Sequence, residues 1–450
     1  MRRVRGEAFL TLALLNIFVL ITGFVALDVI EARPLPAVPH PVTNAEGVAA
    51  AEPASSSPAD PERIADVLDD PMSAFGLAEG LSGFVVDGAT GATLFERDAD
   101  APVTPASTTK IATAVTILDT VGPDHVLTTT AHFDSARGMV VLRGVGDTTL
   151  TTTVDSAAYP QVATLEELAV RTAAALGAQD VGTVSIGYDD SLFTGSALGP
   201  GWKPNYVTEG STAPVHALMY DSGQVSPDTS TRWPDPPLAT AEAFVNELKQ
   251  AGVTVEGTPS EAPAVGDPIA SVDSPPMSVL VEFMMLESDN NLAESMARIA
   301  ALETGGEGSF AGGAEATHRV MADLGIEGVE VADNSGLSTE NRITPNALVE
   351  LLFLASERPD LNAAITGLPT GNSTGTLAKN GRYSAYGSTG DAAGMVRGKT
   401  GTLNGVSTLA GTVHDQEGNM FVFAFMDNSP GASGVRLDTL AAALARCGCS

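Results

Sequence analysis

The chain of 450 residues holds only two cysteines, Cys447 and Cys449, both in its last four positions. No other cysteine is present to complete a four-thiolate zinc site. The pair forms either a local disulfide in an oxidising compartment or two free tail thiols. Histidine is scarce as well. Six occur, none in a His-Glu-x-x-His pattern, which excludes a zinc peptidase of that kind. Positive charge is thin: 23 Lys and Arg against 55 Asp and Glu, a formal net charge of −32. Such a chain repels phosphate, so a nucleic-acid partner is excluded. The acidity reads as solubility or adaptation to a salty medium and carries no substrate inference. No repeat of fixed period occurs. Just five lysines are present: Lys110, Lys203, Lys249, Lys379 and Lys399. A lysine inside a catalytic-looking motif is therefore less easily chance filler. Apolar residues, at 44%, exclude wholesale disorder, and the length suits two or three domains.

The N-terminus is basic, Met1-Arg2-Arg3-Val4-Arg5, and Ala8 to Leu27 is almost wholly apolar. Twenty such residues span a bilayer as a helix. The basic flank predicts that everything after it is exported, so the body is extracytoplasmic. Residues 1–30 are thus a membrane anchor, with a cleaved signal sequence as the alternative. Residues 31–75 are rich in Pro, Ala and Ser and read as a tether.

Two short apolar runs, Gly83–Asp87 and Ala92–Glu96, flank Gly88-Ala89-Thr90-Gly91 and predict a β-hairpin. A helical pattern starts near Pro105 and runs through Ile111, Val115 and Leu118. The far end mirrors this. Val406–Val413 and Met420–Met426 read as strands, and Val435, Leu437, Leu440 and Leu444 as a helix. One sheet built from both chain ends and covered by helices is expected, over 76–126 and 273–450. Residues 127–272 differ, with many Thr, Gly, Asp and Pro and short apolar segments. They read as a strand-rich insertion with its own small core.

Three short constellations carry chemistry. In Ser107-Thr108-Thr109-Lys110 the serine and lysine share one helix face. A serine hydroxyl needs a neighbouring base, and a lysine with a depressed pKa can be one. A helix start also offers the serine's own N–H to an oxyanion. In Ser288-Asp289-Asn290 a second hydroxyl can relay a proton and an amide can bind a peptide carbonyl, although the same triplet makes a good helix cap. In Lys399-Thr400-Gly401-Thr402 an edge strand can hold a carboxylate, and glycine lets a substrate backbone come close. Each alone has a bland reading: a surface helix start, a turn, a lysine-protected edge. Their order, and the placing of the first and third in one domain, point to active-serine acyl chemistry.

The set resembles the class C low-molecular-mass penicillin-binding proteins, the D-Ala-D-Ala carboxypeptidase/endopeptidase family, over roughly residues 76 to 430. The features are the gap of about 180 residues between Ser107 and Ser288; Gly144-Val145-Gly146-Asp147-Thr148-Thr149-Leu150; Asp333-Asn334-Ser335-Gly336-Leu337-Ser338; and Gly375-Thr376-Leu377 ahead of Arg397-Gly398-Lys399-Thr400-Gly401-Thr402. The resemblance implies a multidomain α/β (α+β) chain. Its β-lactamase/transpeptidase-like domain would be an antiparallel sheet covered by helices, with the insertion at 127–272. It also implies roles. Ser107 attacks the D-Ala-D-Ala carbonyl, Lys110 takes its proton, and Ser288 passes a proton toward the leaving D-alanine. Asn290 binds the substrate amide and helps hold Lys110. Lys399, Thr400 and Thr402 bind the terminal carboxylate, beside Gly401. The N–H groups of Ser107 and Thr402 form the oxyanion hole. Peptidoglycan peptides are the implied substrates and β-lactams the covalent inhibitors. No metal and no organic cofactor is implied. One departure stands out. Many family members carry an acid shortly after a Pro-Gly-Trp, where this chain has Pro200-Gly201-Trp202 followed by Tyr206, with Glu209 three further on. Two alternatives stay open: a wall-binding homologue with little activity, and a β-lactamase.

Overall fold

The computed structural model describes residues 59–449, apart from 75, 78–79, 153–156, 227–228 and 385–386. The expected anchor at 1–30 and most of the expected tether lie outside the described residues. Among those described, no helix is long and apolar enough to cross a membrane.

The tether expected to run to residue 75 ends earlier. Pro61–Ala74 is a helix whose Ile64, Leu68 and Met72 are buried. Their spacing of four puts them on one stripe, which the Pro/Ala/Ser-rich stretch before it masks. The stripe packs into the core beneath the C-terminal helix Gly434–Arg446. Arg63 donates to the carbonyl of Gly448 (2.8 Å), and the Asp60 N–H to that of Cys449 (2.7 Å). Cys447 and Cys449 are disulfide-bonded and buried in the same cluster.

Strands β1 (Leu81–Asp87) and β2 (Thr93–Arg97) form the hairpin at the start of the chain. Strands β3 (Thr128–Asp134), β4 (Met139–Arg143), β5 (Thr183–Asp189), β6 (Thr254–Val255), β7 (Ser260–Glu261) and β8 (Pro268–Asp273) form a second sheet, ordered β6-β5-β4-β3-β8, with β7 beside β5. It has its own apolar cluster, covered by the helices Leu165–Gly177 and Pro236–Gln250. A two-stranded ribbon joins β9 (Val329–Glu330) and β10 (Arg342–Ile343). Strands β11 (Val396–Leu403), β12 (Val406–His414) and β13 (Met420–Asp427) complete the first sheet. Its order is β11-β12-β13-β1-β2, antiparallel throughout, so the two ends of the chain meet where β1 pairs with β13.

This sheet is buried on both faces, which explains why β13 reads as a continuous apolar run. Phe421, Phe423 and Phe425 face the helices at the chain ends. Val422, Ala424 and Met426 face the central helices, among them Thr109–Val121, Met277–Glu287, Asn290–Glu303, Phe310–Leu324 and Pro345–Glu357. Each phenylalanine is fully buried and contributes roughly 1.5–3 kcal/mol by removal from water. The result is a layer of helices, a sheet, and a second layer of helices, with β11 on the open edge.

Candidate active site

Ser107 sits in a single 3₁₀ turn, Ala106–Thr108, that leads into the helix Thr109–Val121. The turn is held from beneath. Thr108 and Thr408 each donate a hydroxyl to the carbonyl of Pro105 (2.7 Å both). Ala106 has φ +49°, an uncommon conformation for alanine that the surrounding packing must maintain. Gly336 presses on it so closely that a Cβ there would lie 2.0 Å from the Ala106 oxygen. Ser107 itself is half-buried, so its hydroxyl is reachable.

Lys110, one turn on, is fully buried. Its Nζ lies 3.4 Å from Ser107 Oγ and donates to Asn290 Oδ1 and to the carbonyl of Ser335, both at 2.6 Å. Burial pushes its pKa down to about 8, partly opposed by the charges of Asp333, Asp289 and Glu294. A free amine beside the serine is thus available close to neutral pH.

Ser288 occupies the junction between two helices in a left-handed conformation (φ +61°). Asp289 is the cap of the next helix, its carboxylate accepting from the Leu292 N–H (2.9 Å). The capping reading of this triplet and the chemical one therefore coexist. Asn290 directs Oδ1 to Lys110 and Nδ2 to the carbonyl of Ser211 (2.7 Å).

The third constellation lies on β11. Lys399 is fully buried; its Nζ donates to Ser288 Oγ (2.8 Å) and the Thr400 carbonyl (3.1 Å). Burial, then the nearby charges of Lys110 and Arg382, hold its pKa well below the usual lysine range. The Thr400 hydroxyl meets that of Thr376 (2.9 Å). Gly401 backs directly onto the serine turn: a Cβ there would lie 3.0 Å from Ser107 N. Thr402, the next residue, is exposed. Six of the eight residues singled out in the sequence thus form two hydrogen-bonded groups, Ser107–Lys110–Asn290 and Ser288–Lys399–Thr400, joined through the Ser288–Asn290 turn; Gly401 lies against the serine turn, and Thr402 follows it on β11.

A cleft of about 570 Å³ opens beside this turn, toward the second sheet. Tyr159, Gln161, Asp221, Arg232, Ser288 and Asn290 line it. Tyr206, which stands where the resemblance led one to expect an acid, is buried, and its hydroxyl donates to the carbonyl of Leu337 (3.3 Å).

Sequence reasoning named Asp333 and Trp202 without roles, and it missed Ser211 and Ser222. Asp333 is a hub. Its carboxylate accepts from the N–H groups of Gly336 (3.0 Å) and Ser338 (2.7 Å), from Asn341 Nδ2 (2.7 Å) and from the Trp202 indole N–H (2.6 Å). Ser222 donates to Asp289 Oδ2 (2.5 Å). An isolated serine in a loop bears no local pattern that would mark it.

A nucleophile-and-lysine helix start, a Ser-x-Asn turn and a Lys-Thr-Gly edge strand around one sheet define the class of penicillin-interacting active-serine proteins. The chain belongs to the D-Ala-D-Ala carboxypeptidase 3 (S13) family, whose model matches residues 62–236 and 228–447. It is 36% identical over 379 residues to carboxypeptidase DacB of Mycolicibacterium smegmatis, covering 82% of this chain and 81% of that one. It is 28% identical over 444 residues to the D-alanyl-D-alanine carboxypeptidase of an Actinomadura species, with 82% and 80% covered. In fold it is similar to penicillin binding protein 4 (dacB) of Haemophilus influenzae: TM-score 0.67, 21% identity, 83% of this chain and 97% of that one.

Proposed function

We propose that this chain is a serine D-alanyl-D-alanine carboxypeptidase that works through an acyl-enzyme on peptidoglycan stem peptides. The observation that supports this best is the buried lysine with a lowered pKa, 3.4 Å from the Ser107 hydroxyl and anchored by Asn290. In this reading Lys110 takes the proton as Ser107 Oγ attacks the carbonyl of the terminal D-Ala-D-Ala bond. On this reading the N–H groups of Ser107 and Thr402 receive the oxyanion, a role that the close packing of Gly401 on the serine turn supports. Ser288, held by Lys399, passes a proton to the departing D-alanine nitrogen. Water then hydrolyses the ester and restores the serine.

Lys399 completes the picture. Burial disfavours its charged form, and an arriving carboxylate favours the ammonium. A substrate with a free C-terminal carboxylate is therefore preferred over an amidated one. β-Lactams, which carry a carboxylate beside a strained amide, acylate the same serine. The apolar N-terminal segment supports an extracytoplasmic setting, with the body tethered to the membrane or secreted.

The test is Ser107→Ala, which abolishes D-alanine release from a pentapeptide and acylation by benzylpenicillin, read by mass spectrometry. Retained D-alanine release would sink the assignment. Products from cross-linked muropeptides show how much endopeptidase activity accompanies it, and rapid nitrocefin turnover would favour the β-lactamase reading.

A further inference from the structure

Glu294 lies one turn after Asn290 on the helix Asn290–Glu303 and is only 1% exposed. Its Oε1 accepts two backbone N–H groups, from Asn334 (3.0 Å) and Ser335 (2.6 Å). The carbonyl of that same Ser335 accepts from Lys110 Nζ (2.6 Å). The carboxyl thus clamps one side of a short backbone segment whose other side fixes the lysine. Arg298, a turn further along, stacks between the rings of Phe193 and Phe310 (5.2 and 4.4 Å) and donates to the Ser196 carbonyl (3.1 Å).

We propose that Glu294 is a positioning residue for Lys110, acting through the Ser335 backbone, and that its charge helps keep the proton on the lysine. This rests on the reading of Ser107 and Lys110 as the acylating pair. Burial and the charge of Asp333 push the Glu294 carboxyl up to about 8, into the range where Lys110 loses its proton. The groups facing Lys110 are Asp289 and Asn290 from the helix junction, Glu294 from the helix, Asp333 and the Ser335 carbonyl from the loop, and Lys399 from β11. Facing Glu294 are Asp333 and Arg298. When Glu294 ionises, its charge holds the proton on Lys110.

Glu294→Gln keeps an acceptor for the two N–H groups and removes the charge. The experiment follows the second-order rate of benzylpenicillin acylation from pH 6 to 9.5, with thermal melts alongside. The expected result for Glu294→Gln is a plateau within about threefold of wild type and an acidic limb moved about one unit lower, the scale set by loss of a nearby buried charge. Glu294→Ala loses the clamp as well, and its acylation falls by at least about tenfold at pH 8. If the alanine variant does not fold, the glutamine profile decides alone. A limb that is unchanged or moved upward in Glu294→Gln overturns the proposal. A wild-type chain that takes no acyl group overturns the assignment of Ser107 instead, so the two failures are distinct.

Discussion

Replacing Gly401 by alanine adds one methyl group where the structure leaves no room. That carbon would lie 2.1 Å from Thr408 Oγ1, 2.7 Å from the Pro105 oxygen and 3.0 Å from Ser107 N. Two of the three are backbone atoms. The third belongs to a hydroxyl already committed to the Pro105 carbonyl (2.7 Å) and in reach of Thr108 Oγ1 (3.3 Å), so it does not swing aside freely. β11 must therefore move away from the serine turn. Overpacking of this kind costs about 1–3 kcal/mol. At roughly 2–4 °C per kcal/mol for a large domain, the melting temperature falls by several degrees. The larger effect is on rate, because the displaced strand carries the N–H of Thr402. Loss of one oxyanion donor lowers acylation by about 10²–10³. The assay is the second-order rate of labelling by a fluorescent penicillin, with circular dichroism confirming the fold. Gly398→Ala on the same strand is the control. Its nearest neighbour would be a movable side-chain atom, Leu409 Cδ1 at 3.0 Å, and labelling should stay within about threefold of wild type. A Gly401→Ala protein that labels at the wild-type rate would show that β11 does not set the oxyanion geometry.

Two further outcomes are expected. Acylation of the wild-type chain rises as pH increases through about 8, because the free amine of Lys110 is the reactive form and its pKa lies there; a rate flat from pH 6 to 9 would rule out Lys110 as the base. Ile64→Ala, in the helix Pro61–Ala74, leaves a hole at a fully buried site and lowers stability by about 2–5 kcal/mol. An unchanged melting temperature would mean that this helix is not part of the cooperative fold.

The parts of this molecule legible in the sequence are those with local periodicity. The hairpin β1–β2, the strands β12 and β13 and the C-terminal helix announce themselves by alternation or by helical spacing, and each forms close to where it was expected. Three short motifs were enough to name Ser107, Lys110 and Asn290, which the structure links by hydrogen bonds, and the neighbouring group of Ser288, Lys399 and Thr400. What stayed hidden depends on long-range contacts. Pro61–Ala74 has a clear stripe of three apolar residues, yet it follows directly on a Pro/Ala/Ser-rich stretch, and only the partner helix at the other end of the chain makes the stripe meaningful. Glu294 reads as one more acid on a helix face until the loop at Asn334 and Ser335 closes over it. Tyr206 stands in the sequence where the resemblance leads one to expect an acid. The structure places it inside, against Leu337, because a large ring with one hydroxyl is readily buried when a carbonyl accepts from it.

The segment between Leu127 and Asp273 is more than an ornament on the catalytic sheet. Four contacts tie it to the residues around the base. The Ser211 carbonyl accepts from Asn290 Nδ2 (2.7 Å), Ser222 donates to Asp289 (2.5 Å), the Trp202 indole donates to Asp333 (2.6 Å), and the Ala213 N–H donates to Asn291 Oδ1 (3.0 Å). Three of these partners, Asn290, Asp333 and Asp289, bear directly on Lys110, the first by its own hydrogen bond and the other two by their charges. Without the segment, each of the four polar groups would trade its partner for water, at a net cost of about 0.5–1.5 kcal/mol apiece. That sum is a sizeable share of the stability of an ordinary domain. A chain with residues 127–272 excised and a short linker in their place should therefore lose acylation together with its cooperative melt, even though Ser107, Lys110, Ser288 and Lys399 all remain. An excised chain that still labelled with penicillin would show that the base is held by its own domain alone.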